Sequence, residues 1–439
     1  MALTGLVLGR VCLQTTSRRF ASSASSSDTI AKFVAARVEA DEYKDALRIC
    51  HQDYQHEPFR WTWGELNSWS NAWARGILDA RMAPKPNQQA PRLAYSLAND
   101  AESVVTDFAA ARAGVPTASL APDAPVGHFE CCFENVAPRL VVIMDQFKGE
   151  WKTSMIRDLI PELRNNPKEF DVLKPFTYKS IRNVIHTGMD ASPGIGNFSH
   201  HLQKNPVRDP LNAIETSGDQ LHLLTPHDGR WVGFDQASLV QSGREFAKAM
   251  GLNREDRVNM NLSLASVSGK AAGLFGVLDQ MSCLVIPDRS FSAQSTVDSF
   301  TKEVCNTLMV TPSQLKEVLA VEGVSPAKFD GLQKLIVVSD DGSLPSADSL
   351  SQAKSKLGAS DIRVAVGSSG VAPFLVSGSG DPLSLEALPG AQVTAKDGVL
   401  HSSGSYIYSS VCMGGQVSSE GGSNATGISG KVEGGKVSL

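Results

Sequence analysis

The chain has 439 residues, 42% of them hydrophobic and 20% charged, and 41 Lys and Arg against 46 Asp and Glu give a net charge of -5. This apolar fraction is that of a globular protein, so a sizeable core can form and global disorder is excluded. No run approaches the roughly 18 consecutive apolar residues of a membrane-spanning helix, so no transmembrane segment is predicted. The mildly acidic balance argues against a nucleic-acid partner. The length suggests two or three domains, or one large domain with a tail.

The N-terminal stretch 1–27 has the composition of a targeting sequence. It contains Arg10, Arg18 and Arg19, several Ser and Thr, and no acidic residue before Asp28. An amphipathic, arginine-containing, acid-free start is typical of a mitochondrial transit peptide, whereas the bland alternative is an untargeted disordered terminus. We therefore predict location in the mitochondrial matrix, with the matrix side of the inner membrane as a narrower alternative.

The cysteines and histidines do not form a recognisable metal or disulfide pattern. The seven Cys are scattered and include no C-x-x-C pair, so we expect reduced thiols, including the adjacent Cys131 and Cys132. The His222 and His227 pair does not have the helical spacing, with a carboxylate, of a zinc site. We predict no metal ligand.

Strand and helix signals alternate along most of the chain. Strands are predicted at 60–63, 93–97, 140–144, 181–185, 283–286, 307–310, 335–338 and 362–366. Helices are predicted at 101–113, 236–250, 270–280, 295–303, 312–320 and 346–357, and a further helix carries Leu66, Trp69, Trp73 and Ile77 on one side. Strands that alternate with helices of this length indicate an α/β protein with a largely parallel sheet.

The helical signal fades from 374 onward, and small β pieces are predicted at 392–395 and 406–411. The last stretch, 414–439, is rich in Gly and Ser and predicts a flexible tail. The domain division that follows is a transit peptide at 1–27, a large domain at 28–413 and a tail at 414–439.

Several short fragments, in their order and spacing, resemble the large domain of the adenylate-forming acyl-CoA synthetases. These fragments are RWTWGEL at 60–66, NDAE at 99–102, FAAARAG at 108–114, TPS at 311–313 and LPG at 388–390. QFK at 146–148 and IPEL at 160–163 are similar to a stretch of the mitochondrial medium-chain type. The resemblance covers residues 58–410 and implies the layered αβαβα large domain of that family, with small β pieces near the C-terminus. The family's small C-terminal catalytic domain is expected to be absent.

The family's triphosphate loop, T-S-G-T-T-G-x-P-K-G, is altered in this chain. The corresponding stretch reads LTPHDGRWVG at 224–233. It keeps Thr225 and Gly229, but Asp228 would repel phosphate and Pro226 lacks a backbone N–H. We interpret the stretch as a surface turn before the helix at 236–250, with Arg230 in place of the family's lysine as the alternative.

The family's metal-binding signature, Y-G-x-T-E, is altered as well. The matching stretch is VGSSG at 366–370, in which Gly367 is kept and Ser369 could replace the Thr. Gly370 stands where the resemblance implies a glutamate for Mg²⁺. Thr225, Gly229, Gly367 and Ser369 are therefore predicted as vestigial nucleotide positions, and neither a catalytic residue nor a metal ligand is assigned.

Two further family segments depart from the pattern. Ser266 stands where the acyl-pocket histidine is usual, and Asp340 and Asp341 precede Gly342 where the family has Gly-Gly-Ala beside the adenine. Two carboxylates would be unfavourable neighbours of a nucleotide.

Three functional hypotheses follow from the resemblance. The first is a catalytically inactive synthetase fold, without cofactor, that serves as an accessory subunit of a mitochondrial assembly: an inner-membrane ATP synthase or respiratory complex first, the mitochondrial ribosome second. The Trp-rich region, Trp61 to Trp73, could contact partner subunits, although core packing is favoured for Trp69 and Trp73.

The alternative is a divergent medium-chain fatty acid–CoA ligase that uses ATP, Mg²⁺ and CoA. A third is a module that retains an acyl or CoA ligand, without chemistry, in a pocket lined by Gly273, Gly276 and the apolar helix around Leu274–Leu278.

Overall fold

The computed structural model describes residues 28–54, 57–85, 88–165, 172–368, 370–377, 381–404, 406–419, 424–433 and 436–439. The predicted transit peptide, 1–27, and Ser369 lie outside these ranges. Within them the chain forms two large sheets, a three-stranded sheet and a two-stranded hairpin of Gln146–Phe147 and Glu150–Trp151. The predicted α/β class is confirmed.

The first sheet has eleven strands among the described residues. In spatial order they are Glu57–Thr62, Asp45–Tyr54, Cys283–Ile286, Arg257–Met260, Thr307–Val310, Lys334–Ser339, Asp361–Ser368, Val371–Ser377, Leu385–Ala387, Lys436–Ser438 and Lys431–Glu433. The strands from Asp45–Tyr54 to Asp361–Ser368 pair in parallel, and the pairs at both ends of the sheet are antiparallel.

The second sheet has nine strands in the described part of the chain. In spatial order they are Gln416–Ser419, Ser410–Met413, Arg230–Asp235, Leu221–His227, Thr117–Leu120, Leu93–Ser96, Leu140–Ile143, Asn183–His186 and Gly196–Asn197. The last five strands in this order, from Thr117–Leu120 to Gly196–Asn197, pair in parallel. Thr117–Leu120 also pairs in parallel with Leu221–His227.

Most of the helices come directly after a strand in the sequence. The α-helices are Ile30–Asp41, Trp63–Ile77, Ala101–Arg112, Val126–Asn135, Lys152–Leu159, Gln236–Ala249, Val277–Asp279, Ala293–Lys302, Pro312–Ala320 and Ala347–Gln352. Wider π-type turns occupy Leu78–Met82, Gly269–Gly276 and Ala353–Leu357, and 3₁₀ turns occupy Pro161–Asn165, Phe198–His201, Pro210–Ala213 and Pro326–Phe329. None of the helices within these ranges combines the length and the hydropathy of a transmembrane segment.

The two large sheets enclose a layer of helices. Phe275, from the π-type turn that follows a first-sheet strand, meets Phe108 of the helix after Leu93–Ser96 edge-to-face at 6.0 Å. Leu93 faces this central core, whereas its neighbour Ala94 faces a separate core under the helices Val126–Asn135 and Lys152–Leu159. Alternating strand residues therefore bury both faces of the sheet, which explains the continuous apolar runs in the sequence.

The C-terminal stretch differs from the flexible tail that its composition predicts. Asn424–Ser429 pairs with Val399–Ser403 in the three-stranded sheet, whose third strand is Gln392–Lys396, and Lys436–Ser438 joins the first sheet. Ile428 and Val437 are both buried. A few well-spaced apolar residues are enough to anchor these strands, and Gly/Ser content alone does not reveal that spacing.

The tryptophans of the N-terminal region are mostly core residues. Trp61, Trp63 and Trp73 are buried, and Trp69 is partly buried with its ring stacked on Trp61 at 5.7 Å. The expected packing of Trp69 and Trp73 is confirmed. Trp61 and Trp63 are not available as a partner surface because they lie inside the fold.

Candidate functional site

The stretch that corresponds to the triphosphate loop forms a tight β-hairpin, and the expected surface turn is its exposed tip. Leu221–His227 pairs with Arg230–Asp235, and Asp228 and Gly229 form the two-residue turn with φ values of 47° and 72°. Two successive positive φ angles with an Asp-Gly sequence are typical of a type I′ hairpin. Thr225 is buried in the first strand, opposite Val232.

The hairpin meets the second altered motif in space. A Cβ atom on Gly370 would lie 2.4 Å from Cγ of the buried His227 ring, so this ring occupies the place of a side chain at 370. A Cβ atom on Gly367 would lie 2.8 Å from the Val371 carbonyl oxygen. The structure thus places Gly370 against the hairpin strand that ends at His227, and protein atoms fill the space beside Gly367 and Gly370. Gly229, at the tip of the turn, has no atom within 4 Å of its Cβ position.

This region does not fit a Mg²⁺–triphosphate. A phosphate cradle needs several free backbone N–H groups, but here the chain is paired up to the two-residue turn, and Asp228 adds a carboxylate. Gly370 offers no metal-ligating oxygen from a side chain. Within the described ranges there is also no group of three or more His, Cys, Asp or Glu that could hold a metal ion.

The position expected beside an adenine is closed by the C-terminal strand. Asp341 accepts hydrogen bonds from the Ser343 N–H and the Ser339 hydroxyl, each at 2.9 Å. Hydrogen bonding by the Ser343 side chain, followed by these two contacts, lowers the pKa of the Asp341 carboxyl. Burial, and next the Asp341 charge, raise the pKa of Asp340. A Cβ atom on Gly342 would lie 3.0 Å from Ile428. Ile428 therefore packs where the resemblance implies a ligand.

The predicted acyl pocket is filled by side chains. A Cβ atom on Gly273 would lie 3.1 Å from Sδ of Met260, and one on Gly276 would lie 2.9 Å from the Phe246 ring. Ser266, which replaces the pocket histidine, donates to the Ser263 carbonyl and accepts from the Gly269 N–H at 3.0 Å. The prediction that Gly273 and Gly276 line a pocket is wrong, because these glycines permit close helix packing.

A buried charged cluster escaped the sequence analysis. The Lys270 ammonium contacts Asp107 Oδ2 and the Tyr95 hydroxyl, and Tyr95 donates to Asp107 Oδ1 at 2.8 Å. Burial lowers the pKa of Lys270 and lowers that of the neighbouring His222 to about 4. The single available signal was a lysine and an aspartate inside two apolar helical segments, and only the fold shows that they meet.

An open cleft lies at the carboxyl ends of the parallel strands in both sheets, where ligands of α/β proteins commonly bind. It has a volume of about 300 Å³ and its charged lining is mostly acidic, with Asp100, Glu102, Asp145 and Asp190 against Arg289. This lining disfavours an anionic ligand such as a nucleotide.

Comparison with known proteins identifies the fold. No family model matches the chain. It is 19% identical over 346 residues to the Bacillus subtilis (strain 168) protein "Putative acyl-CoA synthetase YngI", covering 76% of this chain and 60% of that protein. The chain thus spans less than two thirds of this curated relative.

Solved structures resemble it over nearly its full length. The anthranilate CoA ligase AuaEII in complex with anthranoyl-AMP has a TM-score of 0.78 and 13% identity, covering 94% of this chain and 78% of that one. The luciferase-like enzyme of the nonluminescent mealworm Zophobas morio has a TM-score of 0.73 and 15% identity, covering 94% and 95%. A benzoate CoA ligase from Burkholderia xenovorans LB400 has a TM-score of 0.68 and 14% identity, covering 87% and 72%. The chain therefore has the fold of the adenylate-forming acyl-CoA ligase superfamily.

Proposed function

We propose that this chain is a non-catalytic protein built on the acyl-CoA ligase fold. The observation that carries the proposal is the contact between His227 and Gly370. It brings the two altered nucleotide motifs together, with a paired hairpin in place of a phosphate loop and with a glycine, which has no carboxylate, at position 370. The ligase core persists because its strands and helices are needed for folding, whereas the catalytic loops are not.

We further propose that the protein is an accessory subunit of a mitochondrial assembly. The arginine-containing, acid-free stretch 1–27 supports mitochondrial targeting. An inner-membrane ATP synthase or respiratory complex is the first choice, and the mitochondrial ribosome is the second. This choice rests on analogy with enzyme folds that have been reused as structural subunits.

ATP–pyrophosphate exchange tests the absence of catalysis directly. The purified chain is assayed with medium-chain and aromatic acids beside an active acyl-CoA ligase as the positive control. We expect exchange at the level of the protein-free blank. Robust exchange that depends on the added acid would overturn the proposal.

The alternative is a divergent ATP-dependent ligase of the medium-chain type, favoured by the shared fold and by the names of the similar proteins. It predicts acid-dependent exchange, and its nucleotide must then bind elsewhere than beside His227. A retained acyl ligand without chemistry is distinguished by calorimetric titration with acyl-CoA, which would give heat in the absence of exchange.

The assembly is tested by native electrophoresis of detergent-solubilised mitochondria followed by mass spectrometry of each band. We expect the chain to migrate with a large complex. Migration near its monomer mass would contradict the subunit proposal while leaving the exchange result unaffected.

A further inference from the structure

Three arginines stand at equivalent positions on three neighbouring parallel strands of the second sheet. Arg92, Arg139 and Arg182 each precede the first strand residue, and the strands pair in register through Leu93, Leu140 and Asn183. The backbone N–H of Arg139 donates to the Arg92 carbonyl, and that of Arg182 donates to the Arg139 carbonyl, each at 2.8 Å. Side chains at equivalent positions of neighbouring parallel strands lie on the same face of the sheet. The backbones of these three arginines are therefore about 5 Å apart, one strand spacing, and their side chains share one face.

The three guanidinium groups differ in their partners. Arg92 is buried and donates to the carbonyl oxygens of Val136 and Gly415. Arg182 donates to the carbonyl oxygens of Lys179 and Ile181. These contacts fix the two outer arginines in place, and neither forms an ion pair with a carboxylate in the described ranges.

Arg139, the central arginine, makes no such side-chain hydrogen bond to another described residue. Its Nε is buried and has no hydrogen-bond partner in the described part of the chain. An unpaired guanidinium N–H that is shielded from water is unfavourable, and two like charges on adjacent strands add repulsion. An anion that accepts from the terminal N–H groups of Arg139 relieves this repulsion.

A cleft of about 280 Å³ opens beside Arg139. Its polar lining consists of Lys85, Arg139, Arg182, Gln88, Gln89 and Ser180, and no carboxylate is among the described residues that line it. This composition supplies cations, amide N–H groups and a hydroxyl, which are the donors that an oxyanion requires. Ala137, also in the lining, has a positive φ of 52°, which is a costly conformation for a residue other than glycine.

We propose that this cleft is a binding site for a phosphate group, with Arg139 as its central ligand. The planar fork of arginine matches the oxygens of a phosphate, and Arg182 and Lys85 complete the charge. The site lies at the amino ends of the strands, opposite the edge at which the altered nucleotide motifs and the acidic cleft lie. It is therefore independent of whether the chain is an enzyme.

Isothermal calorimetry of the full chain with inorganic phosphate tests this proposal, with sodium chloride adjusted to hold the ionic strength constant. We expect saturable one-to-one binding. Arg139→Gln should weaken the affinity about tenfold or more, because it removes charge-assisted hydrogen bonds. Lys316→Gln, which removes one positive charge from the surface helix Pro312–Ala320 beside the first sheet, should leave the affinity unchanged.

Absence of saturable binding by the wild-type chain at millimolar phosphate would overturn the proposal, as would equal affinity of the Arg139→Gln variant. Arg139→Lys keeps the positive charge but loses the planar guanidinium that can donate two parallel hydrogen bonds. It provides a second test if the Arg139→Gln variant fails to fold. We expect Arg139→Lys to bind more weakly than wild type and to show a smaller phosphate-dependent rise in Tm. A wild-type response in this variant would contradict the assigned role.

Discussion

The imidazole ring of His227 occupies the space that a side chain at position 370 would need, because a Cβ atom on Gly370 would lie 2.4 Å from its Cγ. His227 ends the first strand of the hairpin, and Gly370 lies between Asp361–Ser368 and Val371–Ser377. The two residues belong to the two segments for which the resemblance implies nucleotide motifs. A substitution at either position therefore changes the space available to the other residue. A glutamate at position 370 does not fit while the His227 ring keeps its present position.

Restoring the motif glutamate with Gly370→Glu should destabilise the fold. The new side chain must displace the buried His227 ring, and overpacking of this kind costs about 1–3 kcal/mol in the free energy of unfolding. Urea denaturation measures the change. Gly127→Ala is the control, because its Cβ would meet nothing within 4 Å, and we expect a change below about 1 kcal/mol.

The double variant His227→Ala with Gly370→Glu sharpens this test. Removing the ring opens the space, so the double variant should lose less stability than the sum of the two single changes. Additive losses would show that the two side chains do not compete for one site.

Lys270→Met should cost about 3–5 kcal/mol of unfolding free energy, because it leaves the Asp107 carboxylate buried without its cation. The double variant Lys270→Met with Asp107→Leu should recover much of this loss, since it removes both buried charges. Thermal and urea unfolding report both effects. A loss below 1 kcal/mol in the single variant, on the order of a surface substitution, would contradict a buried ion pair. Lys316→Met, on an exposed helix position, is the matched control.

Stability should fall with acidification through His222, whose pKa burial lowers from 6.5 to about 4. Above pH 6.5 the histidine is neutral in both the folded and the unfolded chain. Between pH 6.5 and about 4 the unfolded chain binds a proton at this histidine, whereas the folded chain keeps it neutral. As the pH falls from 6.5 to about 5, this difference in proton binding lowers the free energy of unfolding by about 2 kcal/mol.

His222→Phe should therefore have a flatter dependence of unfolding free energy on pH over this interval than the wild-type chain. The exposed His128 provides the control, since His128→Gln should keep the wild-type slope. Equal slopes for wild type and His222→Phe would exclude a buried neutral imidazole at this position.

Ile428→Ala tests whether the C-terminal strands belong to the fold. Ile428 is 4% exposed and packs beside Gly342, so its truncation should cost about 2–5 kcal/mol. Ser429→Ala, at the exposed neighbouring position, should change stability by less than about 0.5 kcal/mol. If the stretch were a flexible tail, both variants would unfold like the wild-type chain.

Local sequence determined much of the architecture. The runs at 283–286 and 307–310 predict strands with the observed bounds, because residues buried on both faces must be continuously apolar. Thr311 and Gln314 form a capping box at the start of the helix Pro312–Ala320, and this signal can be read within four residues. Strands at Asp45–Tyr54 and Arg257–Met260 were missed, because their polar residues, such as the buried Asn259, break the apolar pattern.

The sequence by itself also identified the altered motifs, because motif chemistry is local: Asp228 and Gly370 are unsuited to phosphate and metal wherever they lie. Only the tertiary structure decided that the His227 ring fills the place of a side chain at 370, that Lys270 pairs with Asp107, and that Arg92, Arg139 and Arg182 share one edge. These contacts join segments that are distant in the chain, and strand register and helix packing fix them. No short-range pattern carries that information, since each partner alone looks like an ordinary polar or small residue.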